Sequence, residues 1–331
     1  MNLIQDTLKG NRRAIARLIS HIEDEVPGAR EALAALYPHT GRAYLVGVTG
    51  APGTGKSTLV NELAKAYRRW NSPRTVGVIA VDPTSPFSGG AILGDRIRMR
   101  DLAGDAGIFV RSMATRGSLG GLARATADAI KVLDAAGYEM IFVETVGAGQ
   151  AEVDIAKTAY TTIVVEAPGL GDEIQALKAG IMEIADIFAV NKADREGADH
   201  TVTAIQMMLD LNHASHVGGQ ALRRGSGQAL RHGSGQVWRP PVCKTIAVRG
   251  EGVPDLVQAI EAHAAFLRES GLLGQRERER VATEFEHLLR EQLMRQFVSR
   301  IAPEQWDELI ERMVRREVDP YTAAEMLLRG Q

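Results

Sequence analysis

The chain has 331 residues, 45% hydrophobic and 24% charged, an ordinary globular composition with material for one large α/β domain and an appendage. Lys and Arg number 39 against 41 Asp and Glu, and with a formal net charge of −2 nothing suggests a nucleic-acid polyanion as the main partner. A single cysteine, Cys243, excludes an intramolecular disulfide framework, and its apolar surroundings suggest a core residue. The start, Met1 to Asp6, has no basic stretch leading into an apolar one. No apolar run reaches the roughly 18 residues that span a bilayer, so the expected location is cytoplasmic, with no membrane partner.

Residues 1–41 place Leu8, Ala14, Ile15, Leu18, Ile19 and Ile22, then Ala32, Leu33 and Leu36, at helical spacing. This predicts an N-terminal extension of two amphipathic helices. Residues 42–270 alternate apolar runs with helical patterns. Strands are expected at 44–49, 75–81, 108–112, 140–144, 161–166, 186–190 and 242–248, and helices at 57–70, 119–136, 151–159, 173–184, 199–211 and 253–269. The alternation predicts an α/β fold, a mostly parallel sheet with helices on both faces and ligands at the strand carboxyl ends. Between the last two strands, Gly219 to Ser226 is nearly repeated by Gly227 to Ser234, which predicts a solvated loop. Residues 271–331 read as helix only, with Val281, Phe285, Leu288, Leu289, Leu293 and Phe297 on one stripe and further helices at about 303–317 and 320–329. Such apolar faces need their own domain or a second copy to pack against.

Within this frame Gly50-Ala51-Pro52-Gly53-Thr54-Gly55-Lys56-Ser57, followed by Thr58, is a complete phosphate-binding loop between a strand and a helix. Its glycines let backbone N–H groups turn toward phosphates, Lys56 reaches the β and γ oxygens, and the Ser57 hydroxyl ligates Mg²⁺. Asn191-Lys192-Ala193-Asp194 follows an apolar strand and matches the N-K-x-D signature of guanine nucleotide binding. The Asp194 carboxylate accepts from the guanine N1–H and 2-amino groups, donors that adenine lacks on that edge. Ile246-Ala247-Val248 stands where a last loop would flank the base. Asp82 and Glu144 end two strands and are candidate acids near Mg²⁺, and Asp95 lies in a glycine-rich segment with the look of a switch.

Glu144-Thr145-Val146-Gly147-Ala148-Gly149-Gln150, with Val81-Asp82-Pro83-Thr84-Ser85 and Gly94-Asp95-Arg96, resembles the methylmalonyl-CoA mutase-associated GTPases of the MeaB/ArgK type, over nearly the whole chain. The resemblance implies a SIMIBI-class P-loop GTPase that forms a homodimer through C-terminal helices. It further implies a GTP-dependent chaperone of an adenosylcobalamin-dependent acyl-CoA mutase, gating cofactor loading and protecting or reactivating the enzyme. Asp82, Asp95 and Glu144 then match Mg²⁺ and switch acids, with Arg96 and Gly147 in the switches. Gly169 to Lys178 resembles a third switch whose Gln175 and Lys178 meet the partner. Ala148 occupies the place where Ras-like proteins carry a water-orienting Gln, so slow intrinsic hydrolysis is expected. Gln150, Lys178 and Arg96 are the candidates to assist it. No D-x-H-x-x-G cobalamin pattern is present, so cobalamin would belong to the partner. The rival is a kinase linked to arginine/ornithine transport. A nickel-enzyme metallochaperone would want His- or Cys-rich segments, which this sequence lacks.

Overall fold

The computed structural model describes residues 2–70, 72–83, 100–102, 104–115, 124–145, 155, 157–169, 183–217 and 237–329. It divides into two compact units, Met1–Arg276 and Glu277–Gln331.

The larger unit is built on seven described strands, β1 (Tyr44–Thr49), β2 (Val76–Pro83), β3 (Ile108–Thr115), β4 (Met140–Thr145), β5 (Thr161–Glu166), β6 (Ile187–Val190) and β7 (Val242–Lys244). They form one sheet in the order β3-β2-β4-β1-β5-β6-β7, every pair parallel. All six residues of β1, β4 and β5 are buried. Strands covered on both faces read as unbroken apolar runs, which is how the sequence located them.

The described helices of this unit are α1 (Leu3–Leu8), α2 (Arg12–Glu23), α3 (Ala29–Leu36), α4 (Lys56–Arg69), α5 (Arg124–Ala135), α6 (Ala198–Val217) and α7 (Val253–Glu269). Three N-terminal helices stand where two were expected. Gly10 adopts φ +74°, and the Asn11 side chain accepts from the N–H groups of Arg13 and Ala14, starting a new helix. Ile15, Leu18, Ile19 and Leu36 are fully buried and share one core with Val46, Leu63, Ile79 and Phe142. The chain entering β1 is tied to α5 by Asp134, whose carboxylate accepts from the N–H groups of Gly41 (2.6 Å), Arg42 (3.1 Å) and Ala43 (3.0 Å).

Two strand ends depart most from expectation. β3 runs three residues past 112, because β2 offers it partners as far as Pro83↔Thr115. β7 stops at Lys244 instead of 248, because its partner β6 ends at Val190. Beyond it, Ile246 bridges back to Glu251, and Ala247–Arg249 form a 3-10 turn.

A buried polar cluster closes the amino ends of β1, β5 and β6, opposite the edge that carries the loop Gly50–Ser57. The Asp186 carboxylate receives both Arg276 Nη atoms (3.0 and 2.8 Å) and the Thr162 N–H (2.8 Å). Arg276 also donates to the Tyr160 carbonyl. His263, fully buried, sets Nδ1 2.8 Å from Thr161 Oγ1 and Nε2 3.4 Å from Asp186 Oδ1. Burial lowers the His263 pKa to about 4; Asp186 opposes that shift and Arg276 adds to it. Burial works to raise the Asp186 pKa, but His263, Arg276 and the Thr162 N–H outweigh it and hold the carboxyl below its ordinary range.

Between about pH 6.5 and 4 the unfolded chain therefore binds a proton at His263 that the folded chain refuses. Stability falls as pH drops through that window, by about 3 kcal/mol at most, while Asp186 acts below it. Urea unfolding followed by tryptophan fluorescence at pH 7 and pH 4.5 is expected to show His263→Gln losing less stability on acidification than the wild type. Equal losses would contradict the assignment.

The second unit contains most of α8 (Leu272–Val298), then α9 (Pro303–Val314) and α10 (Pro320–Arg329). Pro303 and Pro320 sit at first-turn positions, where a missing N–H costs nothing. Asp319 caps α10, accepting from Tyr321 N (2.9 Å), Thr322 N (3.1 Å) and Thr322 Oγ1 (2.5 Å). Phe285, Leu289, Leu293 and Met294 of α8 are exposed.

Candidate nucleotide site

The site lies at the carboxyl ends of β1, β4, β5 and β6, the central strands of the sheet. Gly50 to Gly55 turn from β1 into α4, and two positions in the turn require glycine. Gly50 has φ +137°, and a Cβ there would stand 2.1 Å from the Val165 carbonyl oxygen. Gly55 has φ +94°, and its Cβ would stand 2.4 Å from Asn191 Nδ2. The close approaches seat the loop directly against β5 and against the residue that follows β6.

Inside the turn, the Lys56 ammonium donates to the carbonyls of Gly50 (2.8 Å) and Ala51 (3.0 Å), and the side chain is buried. Thr54 is buried too, its hydroxyl donating to Ala51 O (3.0 Å). Pro52 and Gly53 are exposed at the tip, and Thr58 is half-buried in the first turn of α4. The α4 N-terminus directs its dipole at this turn, an arrangement suited to seating an anion.

Glu144 is the penultimate residue of β4, in register with Val48 of β1 and Ala80 of β2. That register brings it to Ser57 across 87 residues of sequence, and Ser57 Oγ donates to Glu144 Oε1 at 2.5 Å. Both residues are buried. A hydroxyl and a carboxylate in contact are hard oxygen donors of the kind Mg²⁺ takes, together with waters and phosphate oxygens. The Asp82 backbone lies in β2, opposite Ala114 of β3, and its side chain falls outside the described residues. Asp95, Arg96, Gly147, Ala148, Gln150, Gln175 and Lys178 lie outside them altogether, as does the repeat 219–234. Among the described residues no group of three or more His, Cys, Asp or Glu side chains could hold a metal ion.

The base side is organised by Asn191. Its Nδ2 donates to the Thr54 carbonyl (2.8 Å), and its Oδ1 accepts from Ala247 N (3.0 Å) and Thr245 Oγ1 (3.3 Å). One buried amide thus joins the phosphate loop to the turn after β7. Sequence reasoning missed this joint, since nothing in the order of residues pairs Thr54 with Ala247. Lys192, at φ +56°, reaches back to the Gly53 carbonyl (2.6 Å). Asp194 is exposed. Of the Ile246–Val248 trio, Ala247 is buried with its N–H bonded to Asn191, whereas Val248 is 80% exposed. Cys243 is half-buried on β7; burial, with Asp255 adding, pushes its thiol up to about 11, unsuited to a nucleophile.

Comparison with known proteins is consistent with this geometry. Residues 15–302 match the family described as methylmalonyl Co-A mutase-associated GTPase MeaB. A protein of Pyrococcus abyssi that carries a GTPase name is 49% identical over 99% of this chain and 95% of its own. The GTPase ArgK of Escherichia coli is 35% identical over 81% of this chain and 76% of its own. Among solved structures, one described as LAO/AO transport system kinase superposes with a TM-score of 0.69, covering 99% of this chain and 95% of its own at 24% identity, a likeness of fold. The chain belongs to the methylmalonyl-CoA mutase-associated GTPase family, of the MeaB/ArgK type, and is an enzyme that hydrolyses GTP.

Proposed function

We propose that this GTPase is Mg²⁺-dependent and serves as a chaperone of an adenosylcobalamin-dependent acyl-CoA mutase, gating cofactor loading and protecting or reactivating the enzyme. Family membership over residues 15–302 carries the reading, since the family is described by its association with methylmalonyl-CoA mutase. Ser57 and Glu144 would hold the Mg²⁺, which supplies charge to the β and γ phosphates when bound. Lys56 would hold the same phosphates, and Asp194 would read the guanine edge. Residues 271–331 would form a homodimer contact, a role supported by the exposed Phe285, Leu289 and Leu293. No helix among the described residues is long and apolar enough to cross a membrane.

The test is phosphate release from GTP and from ATP, with and without a purified adenosylcobalamin-dependent acyl-CoA mutase. Turnover of GTP alone, slow by itself and faster with the mutase, is the expected result. Turnover indifferent to the mutase overturns the partner, and a preference for ATP overturns the base assignment. A kinase linked to arginine/ornithine transport would instead leave the phosphate on an acceptor, so free phosphate also separates the two chemistries.

A further inference from the structure

Asp194 has a charged neighbour that the guanine signature does not account for. Arg249, the last residue of the 3-10 turn Ala247–Arg249, sets Nη2 3.7 Å from Asp194 Oδ2, and its Nε lies 2.9 Å from Glu251 Oε1. The backbone beneath is closed tightly. Arg249 N donates to Ile246 O (2.9 Å), Gly250 N to Ala247 O (3.1 Å) and Ile246 N to Glu251 O (2.9 Å). Ala193 N donates to Thr245 O (3.1 Å), so Asp194 and Arg249 rise from two segments bonded to each other. The guanidinium therefore stands between two carboxylates, paired more closely with Glu251 than with Asp194.

The chemistry gives that asymmetry a consequence. Guanine offers a carboxylate two adjacent N–H donors, and arginine offers the same fork. An unrestrained arginine beside Asp194 would compete with the base for both oxygens. We propose that Arg249 is a positioning residue for guanine recognition, orienting the Asp194 carboxylate, and that Glu251 tethers Arg249 so that it does not take the place of the base. This rests on the reading of Asp194 as the guanine acceptor.

The test is equilibrium titration of the full chain with GDP, together with steady-state GTP hydrolysis. Exposed charge pairs act weakly, so Arg249→Ala is expected to weaken GDP about two- to threefold and Glu251→Ala, which frees the arginine, about three- to fivefold. The double variant should return to the affinity of Arg249→Ala, because no arginine remains to compete. KM for GTP should follow these changes with kcat at saturation holding steady, and Arg249→Lys should recover part of the loss. Glu251→Ala binding GDP as tightly as the wild type overturns the tether. So does a Glu251→Ala defect that persists in the Arg249→Ala background. Asp194→Asn supplies the separate control, with preference expected to pass from GDP to xanthosine diphosphate. An Asp194→Asn protein that still prefers GDP overturns the base reading itself and this proposal with it. A normal switch with a failed cycle overturns the Arg249 role alone.

Discussion

Lys56→Ala is expected to lower GTP turnover at saturating substrate by about two to three orders of magnitude, read as phosphate release. The ammonium is buried inside the loop, within 3.0 Å of the Gly50 and Ala51 carbonyls, where the β and γ oxygens of a nucleotide would lie. Charge that grows on those oxygens in the transition state would meet a positive group already in place, shielded from water. Alanine removes the charge and the Lys56 donor to the Gly50 carbonyl, whereas the Ala51 carbonyl keeps the Thr54 hydroxyl. Loss of loop structure would also lower turnover, so the melting temperature of the variant is the companion measurement. A drop below tenfold with an unchanged melting temperature would move the phosphate stabilisation to another residue.

The second large effect is expected at Asn191. Alanine deletes a donor to Thr54 O and an acceptor for Ala247 N and Thr245 Oγ1, all at a buried position. A buried backbone group left unpaired costs about 1–3 kcal/mol, and two are orphaned here. Because the bonds join the phosphate loop to the base-side turn, losing them loosens the geometry that a nucleotide needs, and GDP affinity should fall by about 30-fold. Calorimetric titration reads the affinity, and hydrogen exchange at the Ala247 N–H reads the freed joint. Near-native affinity in Asn191→Ala would mean that the two loops hold their places without it.

The parts of the site that could be read from sequence are those whose chemistry is contiguous. The run from Gly50 to Ser57 carries its own turn residues, charge and hydroxyl, and Asn191 to Asp194 carries the carboxylate proposed to read the base. Strands of the buried centre were legible because both their faces are apolar. The edge was less so. Ile246-Ala247-Val248 has a strand's composition, yet β7 ends at Lys244 because its ladder partner runs out at Val190. A residue's own preferences do not record where its neighbour stops. The helix break at Gly10 and Asn11 was present in the letters and was overridden by the apolar spacing on either side.

By itself, then, the order of residues determined the class of fold, the phosphate loop and the likeness to a mutase-associated GTPase family, all of which rest on local propensity or a short uninterrupted motif. Tertiary structure alone decided which distant residues meet. It placed Glu144 on Ser57 through the register of β4 with β1, and joined Thr54 to Ala247 through Asn191. It set Arg249 between Asp194 and Glu251, and sealed His263 with Asp186 and Arg276 at the far edge of the sheet. The reason is physical. A short motif owes its conformation to bonds between near neighbours, whereas these contacts depend on strand order and register, which only the packing of the whole core selects.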